Sequence, residues 1–348
     1  MNAIIADLKA GAELSDHQIR EITELLLDLK ADDELKLELL ESLASKGETP
    51  AEIAAFVEAF LEHAVDPNLD FSKLGGPTLD VCGTGGDKLD LFNVSTTSMF
   101  VAAAGGAVVV KHGNRGITSR SGGADVLESL GVKIDQDANG FRDCIEKAGV
   151  GFMFAPMYHP AFKAVVGVRK ALAEKGVRTI FNLIGPLLNP ARPECQLVGV
   201  FAREHTLNFA QILQRLGRRC AWAVHGRTAD AGGVDEISLM GPTLIYKSGV
   251  ADQVLEEEVN PGDFGFSVAK VEDLKGGDAQ ANASILRDIL SGKERGPKRD
   301  MVLLNAGASL ACAGLADDMG HGIKKAAECI DNGSAMEKLR LLQQASQG

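Results

Sequence analysis

The chain has 348 residues, 45% of them apolar and 24% charged, which fits a globular protein of about two domains and excludes a disordered or fibrous one. Its 36 basic and 48 acidic residues give a formal charge of −12, which excludes a protein that wraps duplex nucleic acid or coats an anionic bilayer; any polyanion it binds must meet a local cationic pocket. The longest apolar run, residues 99–110, falls short of the roughly 18 needed to cross a membrane, and six cysteines without a CxxC pair fit reduced thiols, so we expect a cytoplasmic protein with no membrane partner.

In chain order, residues 15–65 read as helical: Ser15 is a candidate N-cap, and Ile19, Ile22, Leu25, Leu26 and Leu29 recur at helical spacing. Residues 35–43 form a second helix, and Thr49 with Glu52 makes a capping box that opens a third, running to residue 60. Residues 66–77, polar with two prolines and a Gly-Gly, read as a linker. Beyond it, short β-branched runs at 78–81, 107–110, 221–224 and 243–246 alternate with helical segments at 95–104, 123–129, 142–148 and 204–216. That alternation predicts a large, mainly parallel α/β domain over residues 75–345 behind a small all-helical domain over residues 1–70.

Glycine is over-represented, and most of the excess lies between residues 75 and 233, where backbone must approach something closely. The first motif, DVCGTGGDKLDLFNVST (80–96), ends a strand, turns at Gly83, Thr84, Gly85 and Gly86, and offers Asn93, Ser95 and Thr96 at the start of an apolar helix. Glycine N–H groups beside a helix N-terminus suit phosphate, although a tight strand-to-helix turn with Ser95 as its N-cap has the same pattern. The motif is neither a P-loop nor a dinucleotide fingerprint. The second, KHGNRGITSRSGGADVLESLG (111–131), gathers Lys111, His112, Arg115, Arg120 and nearby Lys88 with Asn114, Thr118, Ser119 and Ser121 at a strand's C-terminal end, where α/β sheets bind ligands. In the third, VDEIS (234–238), Asp235 and Glu236 would point apart in extended chain, so a turn or a metal must gather them; carboxylates plus substrate phosphates are the usual setting of Mg²⁺. Residues 155–193 add His159, Arg169 and Arg178.

In this order GTGGD, FNVST, KHGNR, SGGADVLE, MYHPA, VRTIFNLIGPLLNPA and VDEIS, with KGETPAEIAAF in the helical part, resemble the anthranilate phosphoribosyltransferase family over nearly the whole chain. The resemblance implies a fold of the nucleoside phosphorylase and phosphoribosyltransferase kind, a helical domain completed by helices near 160–190, and a homodimer formed through that domain. It also implies Mg²⁺-dependent transfer of the phosphoribosyl group of phosphoribosyl pyrophosphate (PRPP) to the amine of anthranilate in tryptophan biosynthesis. Carried over by position, Gly83, Gly86, Asp87, Asn93, Ser95, Thr96, Lys111 and Ser119 would hold PRPP. Gly83, Asn114 and Arg169 would face anthranilate with His112 and His159 beside its tunnel, and Val94, Gly113 and Gly123 complete the substrate-binding set. Ser95, Asp235 and Glu236 would bind Mg²⁺, and Lys111, Arg169 and Asp87 would carry the catalysis. Loss of pyrophosphate develops charge on an already anionic group, so cation and backbone N–H stabilisation suffice without a proton donor. The sequence departs from the family at Leu91 and Gly123, where a hydroxyl side chain is usual, and carries short insertions near 173–175 and 228–231.

Two other readings share parts of the pattern. A pyrimidine nucleoside phosphorylase has a similar glycine loop and KHG motif, but the Asp235–Glu236 pair and the Arg169 region fit it poorly. A non-catalytic, transferase-like nucleic-acid binder requires a basic surface, which the net charge disfavours.

Overall fold

The computed structural model describes residues 1–87, 89–116, 120–230, 232–249 and 253–348. Four helices open the chain: α1 (Asn2–Lys9), α2 (Asp16–Leu27), α3 (Asp33–Lys46) and α4 (Pro50–Glu62). Ser15 caps α2 in a reciprocal box with Gln18, and the Thr49–Glu52 box caps α4 as the sequence predicts. Helix α1 went unpredicted because its apolar residues Ile4, Ile5 and Leu8 span a single turn, too few to set a period. These helices bury Ile22, Leu26, Leu39, Leu43, Phe56 and Phe60 in a core completed from distant sequence by Val165, Val168, Leu172, Ile180, Leu187, Phe209 and Leu213.

After a linker, the chain alternates as β1 (Thr78–Gly83), α5 (Val94–Ala104), β2 (Val108–Gly113), α6 (Gly123–Ser129), α7 (Ala138–Ala148) and β3 (Val150–Phe154). Then come α8 (Ala155–Tyr158), α9 (Val166–Glu174), β4 (Cys195–Gly199), α10 (Arg203–Arg215), β5 (Cys220–Arg227), β6 (Gly233–Val234), β7 (Thr243–Ser248) and β8 (Leu255–Val259). Helices α11 (Ala279–Leu290), α12 (Pro297–Cys312), α13 (Met319–Asp331) and α14 (Ser334–Ala345) close it.

The sheet order is β3-β2-β1-β4-β5-β7-β8, with β6 paired to β5. Strands β1 to β5 are parallel, and β7 and β8 extend the sheet antiparallel. From β1 the chain builds outward through β2 to β3, then returns to lay β4 on the other side of β1. The C-terminal ends of β1 and β4 therefore flank the crevice where strand order reverses, the place where open α/β sheets bind ligands. Strand β1 pairs with β4 through to Gly83–Gly199, but with β2 only at Thr78–Val108 and Leu79–Val109. Leu79, Val81 and Val109 face a core shared with α5, α6 and α11 to α14, while Val108 and Val110 face the opposite side with Met153 and Tyr158.

Candidate active site

The β1–α5 segment forms the crevice floor. Gly85 and Gly86 take φ of +70° and +98°, a left-handed region that L side chains rarely enter, which explains the glycines at this turn. The loop is fixed from below, where the Thr84 N–H donates to the Gly199 carbonyl at 2.9 Å and Thr84 Oγ1 accepts from the Phe201 N–H at 3.0 Å. Above it lies the 235–236 bend. Asp235 Oδ2 accepts from the Gly85 N–H at 2.6 Å, and a Cβ on Gly83 would lie 2.4 Å from that oxygen. Gly199, which the sequence reading missed, is tighter still: a Cβ there would lie 1.6 Å from the Asp235 carbonyl.

The bend gathers the two carboxylates that extended chain would separate. Both residues are recessed yet open to solvent. Burial and the adjacent Asp87 push Asp235 up to about 7, and the two carboxyls hydrogen-bond to each other. Burial followed by Asp235 raises Glu236 well above the ordinary carboxylate range, opposed by Lys111 and by the Ser95 backbone N–H. Asp87 is raised by burial, and its Oδ1 accepts from the Leu89 N–H at 3.1 Å.

Opposite these acids stands the N-terminus of α5. Its N-cap is Asn93, not Ser95, and the Asn93 side chain does not cap it. Instead Asn93 Nδ2 donates to the Ser121 carbonyl at 3.1 Å and its Oδ1 accepts from Asn282 at 2.8 Å, tying the helix start to the 120s loop and to α11. Of the first-turn N–H groups, that of Val94 donates to the Phe92 carbonyl at 2.8 Å and that of Ser95 to Glu236, so this helix start already holds one anionic group and suits a second. Lys111 is buried, with Nζ donating to the Val81 carbonyl and, at 3.3 Å, to Ser95 Oγ. Val94 and Thr96 are buried beneath that turn, and a Cβ on Gly123 would lie 3.0 Å from Thr96 Oγ1, so glycine there leaves room for the hydroxyl. Gly113 packs against Phe152, Asn114 is exposed with Oδ1 accepting from the Arg115 N–H at 2.8 Å, and Leu91 bridges to Lys275.

The cationic crowd expected of the second motif is not free. Arg115 pairs with Asp125 at 3.0 Å and with Glu128, and Arg120 with Asp90 at 3.4 Å, all on the surface. Lys111 is therefore the buried cation of this part of the site among the described residues; Lys88, Thr118, Ser119 and Ala231 lie outside them.

On the far side of the sheet runs a row of rings. His112 and His159 stand edge to face at 5.1 Å, His159 lies 5.2 Å from Phe162, Phe162 lies 5.7 Å from Phe181, and the Arg169 guanidinium sits over Phe181 at 5.1 Å. Arg169 has no acidic partner among the described residues, and burial lowers its pKa. Burial first, then neighbouring charge, drives His112 down to about 3; burial drives His159 down to about 4. Both rings are neutral at physiological pH. Arg178 is exposed, over Phe201 at 4.8 Å. At the expected insertion near 173–175, Lys175, the C-cap of α9, pairs with Glu41 at 2.6 Å; beside that expected near 228–231, the Gly232 N–H donates to Thr228 Oγ1 at 2.9 Å.

The crevice therefore joins an anion cradle facing three carboxylates to an aromatic-lined seam that ends in an unpaired arginine. Residues 75–336 match the profile described as "Glycosyl transferase family, a/b domain" and residues 2–64 that of its helical bundle domain. The chain is 43% identical over 344 residues to the anthranilate phosphoribosyltransferase of Chloroflexus aggregans, covering 99% of this chain and 98% of that one. It is 43% identical over 338 residues to that of Roseiflexus castenholzii, covering 97% and 96%. The crystal structure of anthranilate phosphoribosyltransferase from Thermus thermophilus superposes with a TM-score of 0.89 at 37% identity over 99% of both chains. The Saccharomyces cerevisiae protein in complex with PRPP and Mg superposes at 0.86 with 25% identity, covering 100% of this chain and 99% of that one. In profile, sequence identity and fold alike, the chain belongs to the anthranilate phosphoribosyltransferase family.

Proposed function

We propose that the crevice transfers the phosphoribosyl group of PRPP to the amine of anthranilate, as the names of its relatives describe. The observation that carries this reading is the pairing of a side-chain-uncapped α5 N-terminus and a buried Lys111 with three recessed carboxylates, across the sheet from an arginine without an acid. Donor phosphates would lie against the 83–87 loop N–H groups, the α5 first turn with Asn93, Val94, Ser95 and Thr96, and Lys111. Ser119 joins that set by resemblance.

The donor set fits a divalent cation. Asp235, Glu236 and Ser95 Oγ are hard oxygen ligands, and the two carboxyls are held together at a cost that a cation would offset. No three His, Cys, Asp or Glu side chains among the described residues enclose an ion by themselves, so the remaining ligands would be water and the donor's diphosphate. An Mg²⁺ ion held there by Asp235, Glu236 and Ser95 would supply charge neutralisation for the departing pyrophosphate. Lys111 and the loop N–H groups stabilise the same oxygens, and no proton donor is required. Arg169 offers a fork to the anthranilate carboxylate, and neutral His112 and His159 line the approach without charging the amine.

Two copies of the chain associate through the helical part on this reading, and Leu29, 76% exposed on that surface, is a candidate contact. The six unpaired cysteines suit a reducing, cytoplasmic setting. Mixing the protein with PRPP, Mg²⁺ and anthranilate should extinguish anthranilate fluorescence. Undiminished fluorescence, with phosphorolysis of a pyrimidine nucleoside instead, would overturn the reading.

A further inference from the structure

Past Leu79–Val109, strands β1 and β2 part, and side chains take over the gap that ladder bonds would have filled. Asn189, fully buried, donates through Nδ2 to the Val110 carbonyl at 2.8 Å and to Asp80 Oδ2 at 2.9 Å, while its Oδ1 accepts from the Ala191 N–H at 3.0 Å. Asp80 Oδ2 also accepts at 3.3 Å from Gln196 Nε2, which donates in turn to the Pro186 carbonyl at 2.7 Å. The 186–191 segment is thus pinned to β1, β2 and β4 at once.

That segment presents the Leu188 carbonyl 2.9 Å from His159 Nε2. A carbonyl only accepts, so in the neutral ring Nε2 holds the proton and Nδ1 the lone pair. His159 Nδ1 and His112 Nε2 are both buried without a protein partner among the described residues, on rings that are more than nine-tenths buried, which marks them as atoms that await a ligand or water. Asp80 is fully buried and leaves Oδ1 without a hydrogen-bond partner among the described residues; Lys111 and Arg218 offset part of its burial cost, yet an apolar side chain would fill the strand position more cheaply.

We propose that Asp80, acting through Asn189, is a positioning residue for the acceptor side of the site: it fixes the Leu188 carbonyl, and so determines which nitrogen His159 turns to the bound acceptor. The proposal rests on the reading of that side as the anthranilate pocket. The decisive pair of variants is Asp80→Leu, which removes the acceptor oxygens while keeping the branched skeleton, and Asp80→Asn, which keeps one. We expect Asp80→Leu to raise the KM for anthranilate about tenfold, the scale of one lost buried hydrogen bond, with the KM for PRPP changed by less than about twofold. Asp80→Asn should stay near the unaltered chain. Nitrogen-15 NMR of the His159 ring should report the Nε2–H tautomer in the unaltered protein and a mixture in folded Asp80→Leu. Equal changes in both KM values, equal damage from Asn and Leu, or a His159 protonated on Nδ1 in the unaltered chain would each overturn the proposal. The last measurement needs no variant, so it decides even where Asp80→Leu does not fold. A chain that leaves anthranilate unconsumed, yet shows the expected tautomer and its change in Asp80→Leu, overturns the acceptor's identity and supports the positioning.

Discussion

The two halves of the crevice are built by different means. Around the ends of β1 and β4 the working surface is backbone: N–H groups of a left-handed glycine turn and of a helix start, with Asp235 and Glu236 brought in by one bend. Around His112, His159 and Arg169 it is side chains, contributed by β2, the residue after α8, and α9, and aligned by a row of phenylalanines that belongs to the helical core. The first half therefore has no room for added atoms at Gly83 and Gly199, whereas the second depends on how separate segments pack.

The harshest way to break this contrast is to empty the acidic bend. Asp235→Ala with Glu236→Ala should lower kcat/KM by at least about a hundredfold, the scale of lost electrostatic stabilisation, and flatten the Mg²⁺ titration. The unliganded variant should melt no lower than the unaltered chain at pH 7, because both carboxyls are held above their ordinary range by burial and by a neighbouring carboxylate, Asp87 for Asp235 and Asp235 for Glu236. Intact activity with an intact Mg²⁺ response would remove the metal assignment.

Next comes the glycine turn. At Gly86, φ is +98° and a Cβ would point into open space, so Gly86→Ala and Gly86→Val share the same backbone strain, roughly 1 to 3 kcal/mol, and differ in bulk. Both should melt lower than the parent. PRPP with Mg²⁺ should raise the melting temperature of the alanine variant in part and that of the valine variant hardly at all. Full ligand-induced shifts in both variants would put the phosphates elsewhere.

Arg169→Ala sharpens the comparison from the other half. The KM for anthranilate should rise between about tenfold and a hundredfold, equivalent to roughly 1.5 to 3 kcal/mol for a charge-assisted contact, with PRPP spared; a larger effect on PRPP would move Arg169 to the phosphate side. The smallest effect concerns pH. His112 and His159 sit near 3 and 4, below the ordinary 6.5, so unfolding takes up protons below pH 6.5 that the folded chain refuses. Their contribution to stability is complete above pH 6.5 and drains away as pH falls towards 4. Between pH 7 and 4.5 the urea midpoint of the parent should fall further than that of His112→Phe; parallel curves would show that His112 is not held neutral.

Legibility followed the same division. The phosphate half could be read because strand, turn and helix start are contiguous, so Gly83 to Thr96 declare their geometry in a single stretch. Gly199 and Asp80 gave no such signal, since what makes them matter is the Asp235 carbonyl and the Asn189 amide, more than thirty residues from Gly199 and more than a hundred from Asp80. The expected cationic cluster failed for a related reason: sequence shows Arg115 and Arg120 near the site but not the surface acids that claim them. Strands β3, β4 and β8 were missed because VGFMF and CQLVG each hold one β-branched residue and a glycine, and LEEEV is exposed and acidic at the sheet edge. In fold class, the small helical bundle and mainly parallel α/β sheet agree with the expectation.

The helical core has a consequence for how the chain is made. Helices α1 to α4 leave the ribosome well before Val165, Ile180, Phe209 and Leu213, which complete their packing. At ordinary synthesis rates the interval is on the order of ten seconds. For that time the apolar faces of Ile22, Leu26, Phe56 and Phe60 lack their final cover, so the nascent N-terminal segment is the stretch most in need of a chaperone. Deleting it would in turn bare the same seam on the mature protein and lead to aggregation rather than to a smaller working enzyme.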